Sequence, residues 1–122
     1  MPISSHEIRF SLPHIEVTGK VWGEPGGLPV IALHGWLDNA ATFDRIAPSL
    51  EGVYLVALDL PGHGISGHMP ATGYSLWQQA ATVLQVAEDL GWERFALLGH
   101  SMGAIISGVL AGSLPDRIIA AA

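Results

Sequence analysis

A serine flanked by glycines, Gly99-His100-Ser101-Met102-Gly103, has the spacing of a nucleophile turn. The residues two before and two after such a serine must be small, because the chain passes sharply from a strand into a helix. The turn exposes the hydroxyl above the sheet, and the positive end of the helix dipole favours negative charge developing there. We therefore predict Ser101 as a nucleophile, with the Met102 backbone N–H as one donor to an oxyanion.

This pattern also arises by chance, so its surroundings decide its meaning. Residues 95–98 are typical of a buried strand, and residues 102–114 are typical of a buried helix. A strand before the serine and a helix after it are the context that a nucleophile turn requires. His100 is expected to pack beneath the turn and to bind substrate rather than to act as the base, because adjacent residues of the turn point to different sides.

A second signal, His34-Gly35-Trp36, follows the apolar run at residues 30–33. Because an acyl transition state is stabilised by two converging N–H groups, we predict the Trp36 N–H as the second oxyanion donor. We also expect His34 and the Trp36 indole to bind substrate. The alternative is an ordinary glycine turn with a buried tryptophan, since a His-Gly pair alone is a weak pattern.

A third loop, residues 59–66, carries glycines and a proline after the apolar run at 53–58. Ligands of open α/β sheets bind at the carboxyl edge, where this loop is expected. We interpret Asp59 as fixing the loop by accepting backbone N–H bonds, and the alternative is a catalytic acid. Asp38 and Asn39 are interpreted as residues that start a helix.

The elements that position these loops alternate between strand and helix. Near-continuous apolar runs predict strands buried on both faces of a parallel sheet, at residues 30–33, 53–58 and 95–98. Alternating polar and apolar residues predict an antiparallel pair at the sheet edge, at 6–12 and 14–22. Apolar spacings of three and four predict helices, at 75–90 and at 42–50, where Pro48 must kink or shorten the second. A last apolar strand begins at 117–122. The fold class is therefore α/β with a mostly parallel, doubly wound sheet.

Composition limits the classes of function. The 122 residues and 12.9 kDa predict one hydrophobic core, and 49% hydrophobic against 13% charged residues exclude intrinsic disorder. Five basic against eleven acidic residues give a net charge of -6, which argues against a nucleic-acid partner. The absence of cysteine removes disulfides, thiolate metal sites and a cysteine nucleophile. His63 and His68 do not make a metal site, so we expect neither metal nor cofactor.

The location and partners follow from the same sequence. The N-terminus lacks a basic stretch followed by an apolar one, and the longest apolar segment stops at Pro115, short of the ~20 residues that a bilayer requires. We expect a cytoplasmic protein that does not enter the membrane and that takes a small-molecule acyl substrate. The oligomeric state stays open.

In combination, these motifs resemble the α/β-hydrolase superfamily, in their order and at their intervals. The loop at 34–40, followed by Phe43-Asp44-Arg45, is similar to the serine hydrolase-like proteins. The resemblance implies that Ser101 is the acyl nucleophile and that two backbone N–H groups form the oxyanion hole. A serine at the turn also argues against relatives that use aspartate there, the haloalkane dehalogenases and epoxide hydrolases.

The sequence departs from that family after Ser101. The family orders its triad as serine, acid, histidine, yet the only carboxylate after Ser101 is Asp116 and no histidine follows. Family members also run to more than twice this length. We therefore expect residues 1–122 to be the N-terminal part of a single hydrolase domain, without its lid and C-terminal strands. The acid and base are expected beyond residue 122, so the isolated chain should be inactive.

The leading hypothesis is a serine hydrolase acting on an ester or similar acyl bond of a small apolar molecule, through an acyl-enzyme at Ser101. The alternative from another class is a non-catalytic module of the same fold that binds a partner or a ligand. Acyltransferase or other cofactor-free chemistry on this fold stays open too, because the same turn serves these reactions.

Overall fold

The computed structural model of the protein describes residues 5–13, 15–35, 38–61, 66 and 75–122. In this part of the chain, six strands form one sheet: β1 Ser5–Ser11, β2 Glu16–Trp22, β3 Leu28–Leu33, β4 Val53–Leu58, β5 Phe95–Gly99 and β6 Ile118–Ala121. The α-helices are α1 Leu76–Leu90 and α2 Met102–Ser113. Two short 3₁₀ helices cover Ala40–Phe43 and Ala47–Ser49.

The strand order is β1-β2-β4-β3-β5-β6. The β1–β2 and β2–β4 pairs are antiparallel, whereas β4, β3, β5 and β6 run parallel to one another. This arrangement confirms the predicted antiparallel pair at the edge of a mostly parallel sheet. Since β3 and β5 pair directly, with Leu33 opposite Gly99, the loops that follow these two strands start side by side.

Both faces of the sheet are buried, as the continuous apolar strands predicted. Along β3, Ile31 and Leu33 belong to the cluster that α1 and α2 cover, whereas Val30 and Ala32 belong to the cluster beneath the 3₁₀ helices. In the described residues, both α-helices therefore cover one face, and the 3₁₀ segments cover the opposite one. The alternation along β3 follows from the two-residue period of a strand.

The α-helix predicted at residues 42–50, kinked or shortened by Pro48, does not form. Phe43 ends the first 3₁₀ helix and Ala47 begins the second, Ile46 and Leu50 flank the second, and the proline lies inside it. Pro48 has no N–H to donate, which prevents a regular α-helix from passing through it. The interpretation of Asn39 as a helix-start residue is confirmed, since its side chain accepts the Ala41 N–H at 2.9 Å.

Helix α1 has the two ends that its sequence predicted. The Ser75 side chain accepts the Gln78 N–H at 3.2 Å, which satisfies a donor of the first turn. Gly91 ends the helix at φ 73°, a left-handed conformation that glycine adopts without steric cost. The helix thus begins and ends at positions fixed by local chemistry.

Gln79 on α1 gives a testable stability effect. Its side chain is 1% exposed, and neither amide atom has a hydrogen-bond partner in the described part of the chain. An unpaired buried amide costs roughly 1–3 kcal/mol, so Gln79→Leu is expected to raise the free energy of unfolding by about 1 kcal/mol in urea denaturation. The exposed neighbour Gln78 is the control, because Gln78→Leu should change the free energy of unfolding by less than about 0.5 kcal/mol. A loss of stability in Gln79→Leu would contradict this account.

Candidate active site

The turn between β5 and α2 takes only two residues, His100 and Ser101. Ser101 has φ 57° and ψ −116°, and it is the one non-glycine residue with positive φ in the described ranges. Side chains rarely adopt such backbone angles, which cost about 1–3 kcal/mol and cluster at functional sites. The sharp strand-to-helix turn predicted from the sequence is confirmed.

The two glycines of the pattern are required by close packing. A Cβ atom built at Gly99 would lie 2.5 Å from the carbonyl oxygen of Gly103. A Cβ atom at Gly103 would overlap the carbonyl oxygen of Leu33 and lie 2.9 Å from that of His34. The turn therefore presses α2 against the end of β3, and only residues without a side chain permit this contact.

The Ser101 side chain is available for chemistry. Serine at a helix start ordinarily accepts a backbone N–H of the first turn, but Ser101 makes no such bond and is exposed. The Ala104 N–H donates to the Ser101 carbonyl oxygen at 2.9 Å, whereas the Met102 N–H donates to no backbone acceptor in the described residues. The Ser101 hydroxyl and an N–H with no backbone acceptor among the described residues thus lie together at the positive end of α2, which suits a nucleophile beside an oxyanion donor.

The loop after β3 lies against this turn. The His100 N–H donates to the Leu33 carbonyl oxygen at 3.0 Å, and a Cβ atom built at Gly35 would lie 3.1 Å from the Ser101 Cβ. The sequence assigned the second oxyanion donor to Trp36, which lies outside the described residues. Its backbone N–H and indole therefore stay predictions, but the residue before it is in place beside Ser101.

His34 has a structural role that the sequence pattern did not indicate. Its ring is fully buried, Nε2 accepts the Leu60 N–H at 2.9 Å, and Nδ1 lies 2.7 Å from the Gly35 carbonyl oxygen. Because Nε2 accepts, Nδ1 carries the proton and donates to Gly35. The ring thus joins the loops that follow β3 and β4. Contact between His34 and substrate stays a prediction, and this geometry favours support of the loop.

His100 does not lie where the sequence placed it. The expectation that it packs beneath the turn is wrong, because the residue is exposed. Its ring lies beside the loop after β3, since a Cβ atom built at Gly35 would be 3.3 Å from the His100 Nδ1. Its predicted role in substrate binding is not tested by this position.

Asp59 fixes its loop, as the sequence analysis favoured. The side chain is buried; Oδ1 accepts the Ala40 N–H and Oδ2 accepts the Thr18 hydroxyl, both at 2.8 Å. Sequence reasoning missed Thr18. It included Ser66 in the loop at 59–66 but not the contact that Ser66 makes, in which the Ser66 Oγ accepts the Thr18 N–H at 2.9 Å. No local signal could have found the contacts of Thr18, since it is 41 residues from Asp59 and 48 from Ser66.

Comparison with known proteins assigns the family. A model of the alpha/beta hydrolase fold matches residues 29–122, which include the turn at Ser101 and the loops after β3 and β4. The chain belongs to the α/β-hydrolase family. Its mostly parallel sheet and its sharp strand-to-helix turn at Ser101 are those that the resemblance predicted.

Named relatives of this α/β hydrolase include the human serine hydrolase-like protein, which is 40% identical over 92% of this chain and 56% of its own length. A hypothetical protein from Pseudomonas aeruginosa has a solved structure that superposes with a TM-score of 0.89, at 62% identity over 92% of this chain and 40% of that one. The thioesterase domain from the curacin biosynthetic pathway superposes at 0.86, with 30% identity over 94% of this chain and 42% of that domain.

The coverage of these relatives is partial. The hydrolase chain spans 36% of the zebrafish serine hydrolase-like protein and 56% of the human one. Within the residues that the structure describes, no group of three or more histidine, aspartate or glutamate side chains is placed to hold a metal ion. Likewise, no helix of these residues has the length and apolar character needed to cross a bilayer. His63 and His68 lie outside the described residues.

Proposed function

We propose that Ser101 is the nucleophile of a serine hydrolase that cleaves an ester or similar acyl bond of a small apolar molecule. The observation that carries this proposal is the state of Ser101: a strained residue at the start of a helix whose hydroxyl is exposed and makes no capping bond. Backbone strain of this kind persists where function selects it. A merely structural serine at the same position would cap the helix.

In the proposed reaction, the Ser101 Oγ attacks the substrate carbonyl carbon while a general base takes the hydroxyl proton. The resulting oxyanion accepts hydrogen bonds from the N–H groups of Met102 and Trp36. The C–O bond to the leaving group then breaks, and the leaving alkoxide takes the proton back. Water, deprotonated by the same base, cleaves the acyl-enzyme and restores Ser101. We expect this base and its acid partner beyond residue 122.

The relatives support this class of chemistry. Serine hydrolase-like proteins and a thioesterase domain share the fold over most of this chain, and esters and thioesters are both acyl bonds that a serine nucleophile attacks. Hydrolase chemistry is thus supported at the level of the family. The small apolar substrate and the cytoplasmic location stay predictions from the sequence.

A fluorophosphonate probe tests the nucleophile in the natural full-length protein. We expect one covalent adduct, mapped by peptide mass spectrometry to Ser101, because phosphonylation requires an activated serine. The exposed Ser113 at the end of α2 is the internal control and should stay unlabelled. Absence of an adduct at Ser101 would overturn the proposal and favour the non-catalytic binding module.

If the probe labels Ser101, a panel of p-nitrophenyl esters then defines the reaction that the full-length protein catalyses. Turnover should favour short apolar acyl groups over charged ones. Adding an alcohol as competing acceptor separates hydrolysis from acyl transfer: a hydrolase releases the free acid as its main product, whereas an acyltransferase would release mainly the new ester.

A further inference from the structure

The loop after β3 is held at both ends by two consecutive residues that follow β4. At its start, the His34 ring accepts the Leu60 N–H at 2.9 Å. At its end, the Asp59 carboxylate accepts the Ala40 N–H at 2.8 Å. Between these two anchors the loop passes Gly35, which lies against Ser101. The position of the loop beside the nucleophile therefore depends on the segment after β4.

The Asp59 carboxylate is itself fixed from the opposite side. The second oxygen of the carboxylate accepts a hydrogen bond from the Thr18 hydroxyl at 2.8 Å. The Asp59 backbone N–H donates to the Thr18 carbonyl oxygen, also at 2.8 Å. Thr18 is 3% exposed, and its backbone N–H donates a hydrogen bond to the Ser66 hydroxyl oxygen. The backbone bond ties Asp59 to β2 independently of the Thr18 hydroxyl, and the carboxylate links this fixed residue to the loop after β3.

We propose that Asp59 is a positioning residue for the oxyanion hole: through the Ala40 N–H it holds the loop that carries the second oxyanion donor. This inference rests on the proposed function of Ser101. The Asp59 side chain bonds Ala40 and Thr18 and makes no hydrogen bond to Ser101 in the described residues. Oxyanion donors must lie within about 2.7–3.1 Å of the developing charge, and a misplacement of about 1 Å costs on the order of a hundred-fold in rate. Releasing the loop end should therefore slow acyl transfer more than it weakens substrate binding.

Two variants remove the same hydrogen bond from opposite sides. Asp59→Ala deletes the acceptor, whereas Ala40→Pro deletes the donor and leaves the carboxylate in place. Proline suits this position, because Ala40 is the first residue of its 3₁₀ helix and the preceding Asn39 is extended at φ −159° and ψ 179°. In the full-length protein, both are expected to lower kcat for a p-nitrophenyl ester about ten- to a hundred-fold with KM changed less than about three-fold.

Two matched variants separate positioning from simple loss of stability. Asp59→Asn keeps an oxygen for the Ala40 N–H, and its amide donates to the Thr18 hydroxyl, which can turn to accept. Thr18→Val removes only the bond on the far side of the carboxylate. Both should keep kcat within about three-fold of the unaltered protein, even where thermal unfolding shows lost stability. Equal losses of kcat in Thr18→Val and Asp59→Ala, or an unchanged kcat in Asp59→Ala and Ala40→Pro, would overturn the proposal.

Hydrogen–deuterium exchange gives a readout that does not need activity. Peptides covering residues 34–43 should exchange faster in Asp59→Ala and Ala40→Pro than in Asp59→Asn. If the esters show no Ser101-dependent turnover, the proposed function fails, and the exchange rates still decide whether Asp59 anchors the loop. Unchanged exchange in both disrupting variants overturns the inference whether or not the protein is active.

Discussion

Replacing Ser101 with alanine is expected to lower kcat/KM for an ester about a thousand- to a million-fold in the full-length protein. In the proposed reaction the Ser101 hydroxyl is the attacking group, so that binding and oxyanion stabilisation alone would retain only a small residual rate. Initial rates with a p-nitrophenyl ester measure the loss. Ser113→Ala is the control, since Ser113 is exposed at the far end of α2 and should keep full activity.

A glycine at the same position separates the chemistry from the strain. Ser101→Gly should lose turnover as completely as Ser101→Ala, yet it should exceed that variant in the free energy of unfolding by about 1 kcal/mol. The reason is φ 57°, which strains alanine as much as serine but suits glycine. Urea denaturation measures the difference. Retention of a tenth of the activity in Ser101→Ala would show that another group is the nucleophile, and equal stability of the two variants would show that the turn is unstrained.

The strand-to-helix turn at Ser101 was predictable because the constraint at Gly99 is local, although the one at Gly103 comes from the distant Leu33 and His34. The contacts that exclude a side chain at Gly99 join backbone atoms only four or five residues apart. The apolar run before the turn also predicts the buried strand that is found there. The two faces of β3 were predictable for a similar reason, since a continuous apolar run indicates burial on both sides. Short-range sterics and patterning therefore sufficed for the fold class and for the strained turn at Ser101, whereas the catalytic role of Ser101 stays a prediction.

The support of the loop after β3 was not predictable from the same sequence. The His34 ring meets the Leu60 N–H across 26 residues, and Asp59 meets Thr18 across 41. Such pairs depend on strand order, because β2 and β3 both flank β4 in the sheet. An aspartate can be recognised as a loop-fixing residue from its neighbours, but its partners appear only after the strands are placed.

The error at residues 42–50 has a different origin. Apolar residues spaced three or four apart suit either an α-helix or successive 3₁₀ turns, so periodicity alone did not distinguish them. Phe43 and Ala47 are buried as an amphipathic helix would require, yet the segment between them turns without α-helical bonds. Pro48 was the informative residue, since it removes a donor that a continuous helix needs.

Gly103→Ala is expected to destabilise the protein by about 3–5 kcal/mol, a large share of the roughly 5–15 kcal/mol that stabilises a typical domain. The new methyl group would overlap the Leu33 carbonyl oxygen and lie 2.5 Å from its carbon. Both are backbone atoms of the sheet, so the clash cannot be relieved by rotating a side chain. Helix α2 must move away from β3, which carries Ser101 away from the loop at Gly35. Phosphonylation of Ser101 should therefore be lost together with stability.

Gly108→Ala on the same helix is the matched control for this argument. Gly108 is exposed, and in the described chain no other heavy atom lies within 4 Å of a Cβ built there, apart from the atoms of its own helix and its chain neighbours. Alanine is preferred over glycine inside a helix by about 0.5–1 kcal/mol, so this variant should be the more stable of the two and more stable than the unaltered protein. Urea denaturation measures the free energy of unfolding of both variants. Equal values would mean that helix propensity, and not the contact with β3, determines the effect at position 103. The close approach of α2 to β3 would then be contradicted.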